Sequence, residues 1–466
     1  MSHSLPDSDL EPTPLREGDG APVSAPAVIP GLREVGGERQ RLAASRGDAP
    51  MRVLMSSYRS NPNTGGQGVY MRLITKALVD EGHQVDVISG PPYPDLDPRV
   101  GLIELPSLDL YARPDPIASF RLRWLKEPTN LFEWVAHNSG GFAEPYTFGR
   151  RMTSYLKGRT HEYDLCHDNQ TLCWGLLDVE AMGLPVVGLI HHPITVDRRV
   201  DIQHARSLSL KLLKWRWYRF LGMQMAVARK LERVIVVSES TRRDVMAEFG
   251  LKPEQLSLVL HGINHKLFCP MPEVPRKPNQ LVCCASADVP LKGLIYLIRA
   301  YAELLKRFPD LELKVIGRLR EGNTSDELRA LGILDRVTFV SGLTDEELVA
   351  LYAESTIAIS PSVYEGFGFP AGEAMACGMP VIATTGGSLP EVVGDAGIVV
   401  PHSNPNALAE AIAGLLNDPD RRDALGQAAR QRILDHFTWA RAARETAEVY
   451  RARLAHADHR SHASGT

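Results

Sequence analysis

The stretch Val363-Tyr-Glu-Gly-Phe-Gly-Phe-Pro-Ala-Gly-Glu-Ala-Met-Ala-Cys-Gly-Met-Pro380 joins one apolar, strand-like run, Ser355–Ser360, to the next, Pro380–Ala383. Glycines at 366, 368 and 372 let the backbone take positive φ and let a ligand approach its N–H groups. Pro370 suits the start of a helix over 371–377, which Gly378 and Pro380 end. A strand, a glycine-rich turn and a helix N-terminus make a seat for phosphate, because unpaired N–H groups and the helix dipole favour an anion there. Glu365 precedes the seat and Glu373 lies in the first turn of the helix, with seven residues between them. A carboxylate at either place can accept two hydrogen bonds from a sugar diol. Any one of these residues alone also reads as a loop glycine or a helix-capping glutamate. Their assembly at this spacing points to a ligand.

The segment resembles the donor-binding stretch of retaining family 4 glycosyltransferases of the GT-B fold, in which two glutamates separated by seven residues serve a nucleotide-sugar donor. Phe339–Leu348, Ser360–Gly368 and Gly386–Gly394 are similar to that family in order and spacing, and looser matches continue back to Met51. The resemblance implies an α/β chain of two Rossmann-like domains facing across a cleft, with the last helix crossing back onto the first domain. It implies a retaining hexosyltransferase that needs no metal and no cofactor. The expected donor is a nucleotide-diphosphate sugar, a UDP-sugar first, and the acceptor a small molecule, glycan or lipid.

At 466 residues the chain exceeds one ordinary core, so two domains of roughly 200 residues each are expected. A formal charge of −4 gives no broad basic field and argues against nucleic-acid binding. Cys166, Cys173, Cys269, Cys283, Cys284 and Cys377 form no CxxC pair and read as reduced core residues, which with the lack of a basic-then-apolar leader predicts a cytoplasmic protein. No apolar run approaches the ~20 residues of a membrane-spanning helix.

Composition and pattern divide the chain into a tail over 1–50, a first domain over 51–265, a linker over 266–280 and a second domain over 281–435, and the resemblance implies a return helix and C-terminal tail over 436–466. The N-terminal tail is rich in Pro, Gly, Ser and acidic residues, so disorder is expected there. From Met51 a strand, the turn Asn61–Gly68, a helix with apolar residues at 3.6 spacing and the strand Gln84–Ile88 form a βαβ unit. A ligand is expected at the carboxyl end of its first strand. The turn lacks the full dinucleotide fingerprint, and no acidic residue closes the second strand, so NAD is disfavoured. In the resembling family, Gly65 and Gly66 of this turn face the donor diphosphate.

Residues 91–150 are Pro-rich, read as irregular, and are expected to shape the acceptor pocket. Asp95-Leu-Asp97 in that stretch matches a metal-binding pattern of another fold, but chance explains it better. The strand Pro185–Pro193 carries His191 and His192 near its end. His167 and His192 read as satisfied structural histidines, whereas His191 aligns with the family's active-site histidine and is expected to touch the transferred sugar or the acceptor. Residues 206–230 carry seven basic residues and no acidic ones. On one helix, Leu210, Leu213, Trp217, Phe220, Val227 and Leu231 would form a core stripe. Lys211, Lys214 and Arg219 would lie opposite, a cationic face able to meet anionic lipid or a phosphorylated acceptor.

In the second half, Val289-Pro-Leu-Lys-Gly293 opens a helix after the strand Leu281–Ala285, so Lys292 is a cation at the sheet's carboxyl edge, placed to neutralise a diphosphate. The family carries an arginine where this chain has Ser286, and Arg318 is a candidate replacement. The resemblance implies catalytic roles for Glu365, Lys292 and His191. It implies donor binding by Gly65, Gly66, Ser286, Gly366, Phe367, Gly368 and Glu373. A catalytically silent nucleotide-sugar-binding protein of the same fold, or a same-fold isomerase or hydrolase, remains the alternative.

Overall fold

A computed structural model describes residues 29, 31–36, 49–62, 66–203, 205, 207–285 and 289–463. Among these, eight strands build a first sheet: β1 (Arg33–Val35), β2 (Arg52–Ser57), β3 (Gln84–Ser89), β4 (Gly101–Glu104), β5 (Leu165–Asn169), β6 (Val186–Ile190), β7 (Val234–Val236) and β8 (Leu256–Leu258). Their order is β1-β4-β3-β2-β5-β6-β7-β8, and only β1 runs antiparallel to its neighbour. Strands β5, β6 and β7 are buried throughout, which is why β6 and β7 read as unbroken apolar runs and not as alternating ones, while β5 carries the buried polar residues His167, Asp168 and Asn169. The connecting helices are α1 (Gly66–Asp80), α2 (Pro128–Asn138), α3 (Glu144–Leu156), α4 (Trp174–Ala181), α5 (Thr195–Gln203), α6 (Leu208–Trp217), α7 (Phe220–Lys230) and α8 (Glu239–Phe249).

A second sheet holds β9 (Gln280–Cys284), β10 (Glu312–Ile316), β11 (Val337–Val340), β12 (Ile357–Ser360), β13 (Val381–Thr384) and β14 (Ile398–Val400), all parallel, in the order β11-β10-β9-β12-β13-β14. Its helices are α9 (Leu294–Arg307), α10 (Asn323–Ala330), α11 (Asp345–Glu354), α12 (Phe369–Ala376), α13 (Leu389–Val393), α14 (Pro405–Leu416), α15 (Pro419–His436) and α16 (Trp439–Ala463). In the parallel part of each sheet the chain starts in the middle and reverses direction, between β2 and β5 and between β9 and β12. Ligands of such doubly wound sheets bind at the carboxyl ends of the strands flanking that reversal. The arrangement is the GT-B fold expected from the sequence.

Helix α16 packs along α1 and returns the chain to the first sheet. Tyr450 donates to or accepts from His167 Nδ1 at 2.9 Å, and Arg453 pairs with Glu180 at 2.8 Å. One apolar cluster runs from β2 and α1 through Ile263 to α12 and α16, so the two halves share a core where they meet.

Three expectations are corrected. Arg33–Val35, inside the stretch expected to be a disordered tail, forms an edge strand against Leu102–Glu104; most of 1–50 lies outside the described residues. The Pro-rich stretch 91–150 holds β4, α2 and the start of α3, because Pro128 and Pro145 sit in first helical turns, where a missing N–H leaves nothing unsatisfied. The single helix expected over 206–230 breaks at Tyr218–Arg219 into α6 and α7. Phe220, Val227 and Leu231 of its stripe are buried, but Leu210 and Leu213 are exposed.

Candidate active site

The turn after β12 and the start of α12 form the wall of the cleft. Gly368 caps α12 with φ of 99°, a left-handed conformation that favours glycine, and Pro370 lies in the first turn. The amides of Gly366, Phe367 and Gly368 find no acceptor among the described residues. They are donors at a helix N-terminus, the arrangement that holds an anion. Gly366 and Gly372, unlike Gly368, do not take positive φ; Gly366 must be glycine because a Cβ there would lie 2.5 Å from the His191 carbonyl oxygen and 2.9 Å from His192 Cβ.

Lys292 ends a 3-10 turn, Pro290–Lys292, and Gly293 reverses the chain into α9 with φ of 64°. The turn is tied to the glycine-rich wall, since the Val363 amide donates to Leu291 O at 2.8 Å. Lys292 Nζ therefore reaches Glu365 Oε1 at 2.7 Å, and the Ser362 hydroxyl donates to the same oxygen at 2.8 Å. Burial works against the Lys292 ammonium, but Glu365 outweighs it, and the pKa stands above the ordinary lysine value. Glu373, one turn into α12, has no hydrogen-bond partner among the described residues, and burial, with Asp345 adding, pushes it up to about 7. The buried Tyr352 hydroxyl likewise has no partner there.

From the opposite side, Gly66 at the start of α1 faces the Phe369 ring, which would lie 3.6 Å from a Cβ at that glycine. His191 follows β6. Its Nε2 meets Asn169 Oδ1 at 2.7 Å and its Nδ1 meets His261 Nε2 at 3.0 Å, while its amide donates to Gln170. Burial, with the neighbouring histidines adding, holds it well below the ordinary histidine value, so the ring is neutral. For a ring nitrogen of His191 to meet a ligand, one of those two hydrogen bonds must be exchanged. His261, after β8, stacks on Phe369 at 5.6 Å and touches the Phe367 ring at 5.2 Å. It was not singled out from the sequence, although the strand-end rule applied to His191 fits it equally. Gly65 and Ser286 lie outside the described residues. Arg318, beyond β10, lies next to Ser341, two strands from the donor turn in the sheet order.

The two halves are latched around this wall. Ser238 Oγ and Thr241 Oγ1 donate to Gly366 O at 3.0 and 3.5 Å, and Tyr364 donates to Asp244 at 2.7 Å. Glu391 of α13 accepts from the main-chain amides of Glu239 (2.7 Å) and Ser240 (2.8 Å), capping α8 from the other half of the molecule. Elsewhere, Asp97 of the Asp-Leu-Asp stretch is gripped by Arg99, whose hydrogen bonds hold its carboxyl down at about 2.

Comparison with known proteins agrees with this geometry. Residues 272–432 match the family described as "Glycosyl transferases group 1", and residues 64–267 match "Glycosyltransferase Family 4". An MMP alpha-(1->4)-mannosyltransferase of Mycolicibacterium hassiacum is 43% identical over 412 residues, covering 87% of this chain and 99% of the relative. A D-inositol 3-phosphate glycosyltransferase of Salinispora tropica is 26% identical, covering 92% of each chain. Among solved structures, sucrose-phosphate synthase from Thermosynechococcus elongatus superposes with a TM-score of 0.66 over 87% of this chain and 99% of that one, at 24% identity. With both halves matched and a relative this similar along nearly its whole length, the chain belongs to the group 1, family 4 glycosyltransferases.

Proposed function

We propose that the protein is a retaining mannosyltransferase that moves mannose from a nucleoside-diphosphate sugar to a hydroxyl of a glycan acceptor. The observation that carries this is the Lys292–Glu365–Ser362 cluster at the mouth of a turn whose amides have no acceptor among the described residues. The similarity to an alpha-(1->4)-mannosyltransferase suggests the sugar.

In this reading the arriving diphosphate draws the Lys292 ammonium away from Glu365. The freed carboxylate then takes hydroxyls of the sugar, and Glu373 takes the ribose diol. The C1–O bond to the diphosphate breaks while the acceptor oxygen bonds C1 from the same face, and the acceptor proton passes to the leaving phosphate oxygen. Lys292 and the amides of Gly366–Gly368 stabilise the charge that grows on the leaving group, without a metal. An α-linked donor thus gives an α-linked product. His191 and its partner His261 form the floor beside the sugar. The two domains are 51–265 and 281–435, with 266–280 as linker and 436–466 as the return segment.

The test supplies UDP- or GDP-mannose with a methyl α-mannoside acceptor, in EDTA, and reads the product by proton NMR. An α product formed in EDTA supports the reading; a β product, or activity restored only by Mg²⁺ or Mn²⁺, defeats it. UDP remains the first expectation for the nucleotide, and the two donors decide it.

A contact with anionic lipid belongs to the same reading. Leu208, Leu212 and Trp215 of α6 are exposed on one face, at 79%, 68% and 55%, and Arg219 lies over the Trp215 ring. No described helix is long and apolar enough to cross a membrane. Co-sedimentation with phosphatidylglycerol vesicles, lost in Leu212→Glu, is the expected result; equal sedimentation of both proteins would remove the contact.

A further inference from the structure

The opposite face of α6 looks into the molecule. Leu210 and Lys214 line a cleft pocket of about 680 Å³ whose other side is Tyr296 and Arg299 of α9 and the start of α10. Leu210, Lys214 and Asp201 also line an adjoining pocket of about 310 Å³ that ends at Trp217 and Tyr218. The shared residues make the two spaces one groove, walled from both sides of the cleft in its larger part and by the first half of the chain alone in its smaller part.

The groove begins where the donor wall ends. Leu291 and Val363, hydrogen-bonded to each other, line it, and their chain neighbours are Lys292 on one side and Ser362 on the other. Tyr296 lines one wall and Trp217 the far pocket, and a Lys214–Asp201 pair at 2.9 Å lines both. Tyr218 donates to the same Asp201 oxygen at 3.0 Å, which fixes that carboxylate in place. Ligand pockets of roughly 300–1,000 Å³ combine apolar walls with a few positioned polar groups, and this one fits that range. Aromatic faces separated by charged groups suit a chain that is apolar on ring faces and polar on ring edges, which describes linked sugars better than a peptide or a lipid tail.

We infer that this groove is an acceptor subsite that holds the sugars of a glycan remote from the reacting hydroxyl, over a length of two or three residues. Tyr296 is its platform and the Lys214–Asp201 pair its polar clamp. The inference rests on the glycan-acceptor reading above, and it makes the enzyme one that prefers a chain to a single sugar.

The experiment compares methyl α-mannoside with its α-(1→4)-linked di-, tri- and tetrasaccharides. For the unaltered protein KM should fall by about tenfold or more from the monosaccharide to the tetrasaccharide, and Tyr296→Ala should abolish that gain while Tyr296→Phe keeps it. Lys214→Met should raise KM for the longer acceptors alone. Equal KM at all lengths, or a rise in Tyr296→Ala that is the same for every acceptor, overturns the inference. Calorimetric binding of the tetrasaccharide to the unaltered protein and to Tyr296→Ala decides the matter independently of turnover, and no binding, or equal binding, overturns it. Loss of nucleotide-sugar binding and hydrolysis in the unaltered protein would instead defeat the proposed reaction and leave the calorimetric result to judge the groove.

Discussion

Lys292 and Glu365 meet at 2.7 Å, an ion pair that, in the proposed reaction, a diphosphate must break before either partner can act. Since leaving-group charge appears only as the sugar bond breaks, Lys292→Ala should lower kcat more than it weakens nucleotide binding. Removing one such donor commonly lowers rate on the order of a hundred- to a thousand-fold. Undiminished kcat would transfer the role to another cation such as Arg318. Glu373 makes a different prediction. Burial favours its neutral form up to about pH 7, whereas a ribose diol donates to the ionised form. Nucleotide binding should therefore release a proton near neutral pH, and affinity should rise as pH climbs toward about 8. Calorimetry in buffers of differing ionisation enthalpy reads this directly, and Glu373→Gln should bind more weakly with no proton release. The two glutamates were legible because their spacing around a glycine turn is a pattern. His261 was passed over although it follows β8 as His191 follows β6, and only the fold shows the Phe369 ring and the His191 nitrogen that it meets.

Elements were legible where one residue type had one meaning, and not where it had two. The parallel strands announced themselves as short apolar runs, and the doubly wound order follows from their alternation with helices. Pro128 and Pro145 defeated the reading of 91–150 because proline both breaks helices and begins them. No Pro or Gly marks the break between α6 and α7 at Tyr218–Arg219, and a 3.6 period continues across it. That break is what lets α6 lie apart from the core, with one face toward the cleft and the other toward solvent. At the donor turn the close approach of Gly366 to the 191–192 main chain has its own consequence. A methyl group there meets backbone that cannot swing aside, so Gly366→Ala should hold the two halves apart. Small-angle scattering should show a larger radius and kcat should collapse, with the thermal midpoint little changed. An unchanged radius and rate would mean that the halves need not approach this closely.

For the molecule as a whole, pH acts through two buried sets of opposite sign. Burial drives His167 and His261 down to about 3 and His191 well below its ordinary value. Each contributes stability that is complete above about pH 6.5 and is lost on acidification, because the unfolded chain takes up the proton first. Burial raises Glu144 and Glu373 to about 7 and Asp168 to about 6, and these lose stability as pH rises through the interval from the ordinary carboxylate range to those values. Between about pH 5 and 6.5 the two sets offset each other. Below about pH 4.5 the carboxyls of the unfolded chain take up their protons as well, so the histidine contribution is no longer offset and stability should fall on further acidification. Denaturant unfolding across this range should show a plateau followed by a steep fall, and a steady decline from pH 7 would contradict it.

The carboxylate of Glu391 sits on the first amides of α8 only while the halves touch, so every opening of the cleft leaves Ser238 as the cap of that helix and strips the Glu239 and Ser240 amides of their acceptor. Losing such an acceptor commonly costs about 0.5–2 kcal/mol, a roughly two- to thirtyfold preference for the shut form. Turnover then acquires a clock that is independent of bond breaking, because spent nucleotide cannot leave faster than Glu391 lets go. Glu391→Ala should shorten the residence time of the nucleoside diphosphate in stopped-flow measurements and leave the single-turnover rate alone. Where release limits the cycle, the variant would be the faster enzyme.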